Sequence, residues 1–155
     1  MYQSFSKMIL SVILLFSLTL LVLMASGCMK KEELETSTGI EPPNPKIMLD
    51  GKNVPFLQGS YQWKGAIADA PQPLELAEHV KPVNASPSSL LKVEFDYKPD
   101  ELKLTAWATD GKLNYSEPID GYEAMLPAEK GRCIYTLSGV WKEGHGVYVF
   151  VIDIK

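Results

Sequence analysis

The chain has 155 residues, with 15 Lys and Arg against 19 Asp and Glu, and 46% of it is hydrophobic. That size suits one domain around one core, and a net charge of −4 without a basic patch excludes a nucleic-acid partner held through phosphates. Two histidines and two cysteines are too few for a disulfide framework or for a zinc or copper centre of three or four nitrogen and sulfur ligands.

Lys7 precedes an apolar run from Met8 to Met24, which ends in Ala25-Ser26-Gly27-Cys28. A basic residue, an apolar segment and small residues before a cut are what export and signal peptidase require. Ala25, Ser26 and Gly27 let extended backbone enter a peptidase cleft, and Cys28 offers a sulfur for acyl transfer. The stretch resembles a bacterial lipoprotein signal peptide with its lipobox, with Ala25 standing where such signals usually carry Leu. The resemblance implies that residues 1–27 are removed, that Cys28 is lipidated, and that the chain sits on the extracytoplasmic face of the cell membrane. The alternative is an uncleaved membrane span, because the run approaches the ~20 apolar residues that cross a bilayer. Loss of Lys7 leaves 14 basic residues against 19 acidic ones, a mature charge near −5, so the domain is expected to stand off anionic lipid. With Cys28 used for lipid, Cys133 has no partner for an internal disulfide.

Residues 28–45 read as a flexible tether: charged from Lys30 to Glu35, small and polar at Thr36-Ser37-Thr38-Gly39, stiff at Pro42-Pro43-Asn44-Pro45. The segment is expected to bury nothing. Residues 46–155 form the expected domain. Ile47-Met48-Leu49 meets an Asp50-Gly51 turn and resumes at Val54. Gly59 to Gly65 is a short aromatic strand. Residues 66–89, rich in Pro and Ala, read as a long loop with a short helix near Leu74–His79.

The strand at 90–98 alternates Leu91, Val93, Phe95 and Tyr97 with Lys92, Glu94, Asp96 and Lys98, giving one apolar and one wet face. A turn at Pro99-Asp100-Glu101 leads to a return strand, with Tyr97 expected opposite Leu102 and Phe95 opposite Leu104. Asp110-Gly111 is the next turn, and Gly121 and Pro127 punctuate a weaker pattern. The last hairpin sets Cys133, Tyr135, Leu137, Gly139 and Trp141 on one face, turns at Glu143–Gly146, and returns through Tyr148, Phe150, Ile152 and Ile154. The expected register places Trp141 opposite Tyr148, Gly139 opposite Phe150 and Leu137 opposite Ile152, with Phe150 over Gly139. Many short strands without a long helical period predict an all-β, antiparallel, Ig-like β-sandwich.

The candidates for chemistry are few. His145 between glycines reads as an exposed turn residue. Asp110, Glu117, Asp120 and Glu123 offer oxygen ligands, but their spacing fits no calcium loop and a solvated face is expected, so neither metal nor cofactor is called for. Cys133 and His145 fall at opposite ends of the last hairpin, too far apart for a dyad, and Cys133 reads as a small core residue. No nucleophile elbow, Walker loop or dinucleotide fingerprint appears. The aromatics are the remaining signal. Trp107 lies on the polar side of its strand, and Tyr61 shares a face with Trp63, so all three are candidate ligand contacts unless other elements cover them.

Gly59-Ser60-Tyr61-x-Trp63-x-Gly65, Phe95-Asp96-Tyr97-x-Pro99, Leu126-Pro127 with Gly131, Tyr135, Trp141 and Tyr148-x-Phe150 resemble small lipoproteins of Bacillus-type Gram-positive bacteria. A similar module occurs on the extracytoplasmic side of antirepressor-type sensor peptidases. The resemblance spans about residues 47–155 and implies an extracytoplasmic sandwich that senses or binds, with no catalytic residue to carry over. The expected function is therefore a membrane-tethered, monomeric, non-enzymatic module for an envelope protein or other ligand. One alternative is an inhibitor whose 66–89 loop enters the cleft of an envelope hydrolase. The other is a hydrolase built on an unfamiliar site at Cys133.

Overall fold

The computed structural model describes residues 39–155. The apolar run and Cys28 lie outside the described residues. Among the described residues eleven strands follow one another: β1 (Lys46–Leu49), β2 (Lys52–Asn53), β3 (Leu57–Trp63), β4 (Ala66–Ala68), β5 (Val83–Ala85), β6 (Leu90–Glu94), β7 (Glu101–Ala108), β8 (Leu113–Pro118), β9 (Glu123–Met125), β10 (Gly131–Trp141) and β11 (Gly144–Ile154). A five-residue helix, α1 (Pro73–Ala77), precedes β5, and a 3-10 turn (Asp120–Tyr122) precedes β9. The strands form an all-β sandwich. A small sheet runs β2-β1-β6-β9, and a large one runs β4-β3-β11-β10-β7-β8. All pairs are antiparallel except β5, which lies parallel to the second half of β11.

Alternation explains the core. Ile47, Leu49, Leu91 and Val93 of the small sheet face Leu102, Leu104, Tyr135, Leu137, Tyr148, Phe150 and Ile152 of the large one, all buried. A second, smaller cluster lies on the far side of the large sheet, where Leu76, Ala77 and Val80 cover Ile134, Val149 and Val151. The large sheet is therefore apolar on both faces where α1 sits, which the two-residue period of its inner face does not reveal. Asp50 and Gly51 both take positive φ, 48° and 78°, as a two-residue hairpin between twisted strands requires. Lys64 and Gly65 repeat that geometry at 48° and 86° and return the chain into β4.

Several expectations fail on pairing while holding on face. The last hairpin turns at Lys142-Glu143, and Trp141 lies opposite Gly144, Gly139 opposite Gly146, Leu137 opposite Tyr148 and Tyr135 opposite Phe150. The expected register is thus shifted by an even number of residues, which leaves every side chain on its face. Gly139 is covered by Trp141 and not by Phe150: a Cβ there would lie 2.4 Å from the Trp141 ring. The glycines at 144 and 146 serve close approach, not a turn. A Cβ at Gly144 would meet the Gln62 carbonyl oxygen at 1.9 Å, where β11 crowds β3.

The expected hairpin of 90–98 with 102–108 does not form. Strand β6 pairs with β1 and β9 in the small sheet, while β7 pairs with β10 and β8 in the large one. Residues 95–100 cross between the sheets instead. Phe95 packs edge-on against Trp141 at 5.4 Å, the Trp141 indole N–H donates to the Tyr97 carbonyl at 3.0 Å, and the Asp100 amide donates to Val140 at 2.8 Å. Burial of Phe95 and these bonds outweigh the local turn signal.

Two further segments are more firmly held than their composition suggests. Residues 66–89 contain β4, α1 and β5, all docked on the large sheet, so they are not a long loop. The described end of the tether also packs down: Pro42 and Pro45 are buried, and the buried Tyr148 hydroxyl donates to the Pro43 carbonyl. A Cβ at Gly146 would lie 2.8 Å from Pro42 Cγ, so the missing side chain makes room for the proline.

Candidate functional site

The sequence-derived aromatic contacts do not meet. Trp63 is 0% exposed and packs edge-on against Trp141 at 5.4 Å, so it belongs to the core and cannot touch a ligand. Tyr61 is half-buried against the same core. Trp107 lies on the opposite side of the large sheet, half-buried beside the α1 cluster, with its indole N–H donating to Thr136 Oγ1 at a long 3.4 Å. A surface shared by the three residues does not exist.

The other candidates are equally scattered. His145 is exposed, but on β11 opposite Val140 and not in a turn. His79 is exposed just beyond α1. Cys133 is half-buried opposite Ile152 and Ala108, and burial pushes its thiol pKa up, which keeps it protonated and weakly nucleophilic. Glu123 pairs with Lys92, Asp110 accepts from the Lys112 amide, and no group of three or more acidic, histidine or cysteine side chains among the described residues could hold a metal. Tyr135 is buried and Tyr115 is half-buried with its ring against it, and burial raises both pKa values, so these groups stay neutral.

A cleft of about 640 Å³ opens on the wet face of the small sheet. Its floor is the end of β6 and the chain beyond, with Lys92, Glu94, Asp96 and Lys98 directed outward. One wall is Asn44, Pro45 and Lys46, where the chain enters β1. The other is Gly121, Tyr122 and Glu123. It exists because β9 leaves β6 early: the pairing runs only from Leu90–Met125 to Lys92–Glu123, and the 3-10 turn then bends the chain away. That bend holds two consecutive left-handed residues, Gly121 at φ 68° and Tyr122 at φ 63°. Such a conformation is costly for tyrosine, and here the Tyr122 hydroxyl fixes it by donating to the Pro99 carbonyl at 3.2 Å.

Among the described residues three lysines and three acids line the cleft, so their charge is balanced. Lys46 pairs with Glu94 at 3.2 Å and Lys92 with Glu123 at 2.6 Å. Among the described residues Lys98 has no carboxylate partner and lies over the Tyr122 ring at 5.5 Å, and exposed Asp96 makes neither ion pair nor hydrogen bond. The arrangement can bind and orient polar groups, and among the described residues it contains no thiol, hydroxyl–imidazole pair or metal cluster. Sequence reasoning saw these side chains only as the wet face of a strand. The alternation of Lys92, Glu94, Asp96 and Lys98 was the visible signal, and the opposing Tyr122 wall had none beyond Gly121.

No protein-family model, no curated protein and no solved structure matches the chain.

Proposed function

We propose that this protein is a lipid-anchored, extracytoplasmic binding module that performs no chemistry on its ligand. The observation that carries the reading is the sequence from Lys7 to Cys28, in which a charge, an apolar run and Ala25-Ser26-Gly27 lead directly to a cysteine. An open, charge-balanced cleft and a Cys133 thiol held protonated by burial support binding over catalysis. A negative mature chain suits an envelope protein or small polar ligand better than a polyanion. The inhibitor reading loses its motivation, because an inhibitory loop needs free extended backbone and residues 66–89 are docked as strand, helix and strand. Among the described residues no helix is long and apolar enough to cross a membrane.

Metabolic labelling with an alkyne fatty acid tests the anchor. The full chain should carry label and pellet with membranes, and Cys28→Ser should lose the label. An unlabelled wild type, or a variant labelled as strongly, overturns the lipid anchor.

A further inference from the structure

We infer that the cleft on the small sheet is a binding site for a zwitterion of dipeptide size, with Asp96 taking the ligand's ammonium group and Lys98 its carboxylate. The inference rests on the reading of the protein as a binding module and is independent of the lipid anchor.

Three observations converge on it. The first is charge accounting inside the cleft. Of the six charged side chains that line it among the described residues, four satisfy one another in the Lys46–Glu94 and Lys92–Glu123 pairs. The two left over have opposite signs and lie two residues apart on the cleft floor. Among the described residues Asp96 has no partner, and Lys98 has only the ring of Tyr122.

The second is span. Two residues of chain separate Cα atoms by at most about 7 Å. An extended dipeptide separates its terminal ammonium and carboxylate by about the same distance, at ~3.3 Å per residue. A ligand lying along the floor can therefore meet both charges at once. A polyanion or polycation would meet one attractive and one repulsive group, and so would be discriminated against.

The third is the wall. Gly121 and Tyr122 hold left-handed backbone that most tyrosines avoid, and the result is an opening beside the floor where a Cβ at Gly121 would meet nothing within 4 Å. Local strain of this kind gathers where a surface is shaped for a ligand. The Tyr122 ring parks the Lys98 ammonium at 5.5 Å, an attraction weak enough at an exposed site for a carboxylate to displace it.

The experiment uses the full chain in detergent micelles, with L-alanyl-L-alanine as probe and binding followed by calorimetry and by amide shifts in isotope-labelled protein. The free dipeptide should bind saturably and move the amides of 94–98 and 121–123. N-acetylation or C-terminal amidation of the probe should each weaken binding by about two- to fivefold, the loss expected for one exposed charge pair. Asp96→Asn should abolish the penalty for N-acetylation alone, and Lys98→Met the penalty for amidation alone. Neither side chain holds the fold, so both variants should melt as the wild type does. Equal binding of free and blocked probes, shifts that map elsewhere, or no saturable binding overturns the zwitterion site. If the dipeptide fails while cross-linking in the native membrane captures a protein whose yield is insensitive to both substitutions, the ligand class falls and the binding-module reading survives.

Discussion

The two sheets solve different problems. The large one is buried on its inner face by the small sheet and partly on its outer face by α1, and its central pair β10–β11 runs eleven residues in unbroken register. The small one is buried on one face only, has short strands, and ends its β6–β9 pairing after three residues. Long pairing and double burial make β10–β11 the frame of the large sheet, with β3, β5 and β7 paired directly to it. Short pairing leaves the small sheet free to open a cleft, at a place where the charged side chains cost the fold nothing because they remain in water.

The strongest way to break this contrast is at the end of the frame. Trp141 is 4% exposed, packs edge-on against Trp63 and Phe95, fills the space above Gly139 and bonds to the crossing segment through its indole. Trp141→Ala should cost about 3–5 kcal/mol. Against a total of roughly 5–15 kcal/mol for a domain, that is a large fraction, and thermal melts should show a chain partly unfolded at growth temperature. Lys92→Ala on the small sheet's wet face should leave the melt nearly unchanged. Equal losses from both would show that the sheets do not differ in the way their burial suggests.

A middle-sized effect is expected where residues 42–45 meet the frame. The Tyr148 ring is buried and its hydroxyl donates to the Pro43 carbonyl, with burial raising the tyrosine pKa. Tyr148→Phe removes the donor and keeps the ring, at a cost of about 1 kcal/mol. The readout that sharpens the contrast is local: hydrogen exchange at Asn44 and proteolysis around 39–45 should accelerate while β10–β11 stays protected. Unchanged exchange there would mean that Pro42 and Pro45, held by burial, fix the segment without the hydrogen bond.

Which parts were legible from sequence follows from the same physics. Period two placed Leu91, Val93, Phe95, Tyr135, Leu137, Tyr148, Phe150 and Ile152 on the correct faces, because burial acts on each side chain separately. Register and partner were less legible. An even slip in β10–β11 preserves every face, so alternation alone could not choose between turning at Lys142 and turning two residues later. The separation of β6 from β7 depends on Phe95 and Trp141 meeting across the sandwich, and a turn at Pro99-Asp100 reads the same whether the chain folds back or crosses over. Trp63 and Trp107 show the limit for sites. One vanishes into the core and the other sits beside a helix only five residues long, both set by distant chain. The cleft needs a wall from 44–46 and a strained turn at 121–122, neither of which has a periodic signal.

The smallest expected effect compares the surface ion pairs of the two sheets. On the large sheet Arg132 makes two bonds to Asp153, at 2.7 and 2.8 Å, across directly paired positions of β10 and β11. The Lys92–Glu123 pair on the small sheet has one bond and is about half exposed on both sides. The guanidinium holds the Asp153 carboxyl below its ordinary pKa, chiefly by hydrogen bonding. The folded state therefore binds that proton less readily than the unfolded chain. The stabilisation is present above the unfolded aspartate value of about 3.9 and disappears as pH falls through the lower folded value. Asp153→Asn should lower Tm by less than about 4 °C at neutral pH. The gap from wild type should be flat above about pH 5 and close below it, since a protonated aspartate resembles asparagine. Glu123→Gln should produce a smaller gap, because a single exposed contact loses as much to side-chain ordering and screening as it gains. A larger acid-sensitive loss at Glu123 than at Asp153 would reverse the order, and would assign the tighter electrostatics to the sheet that carries the cleft.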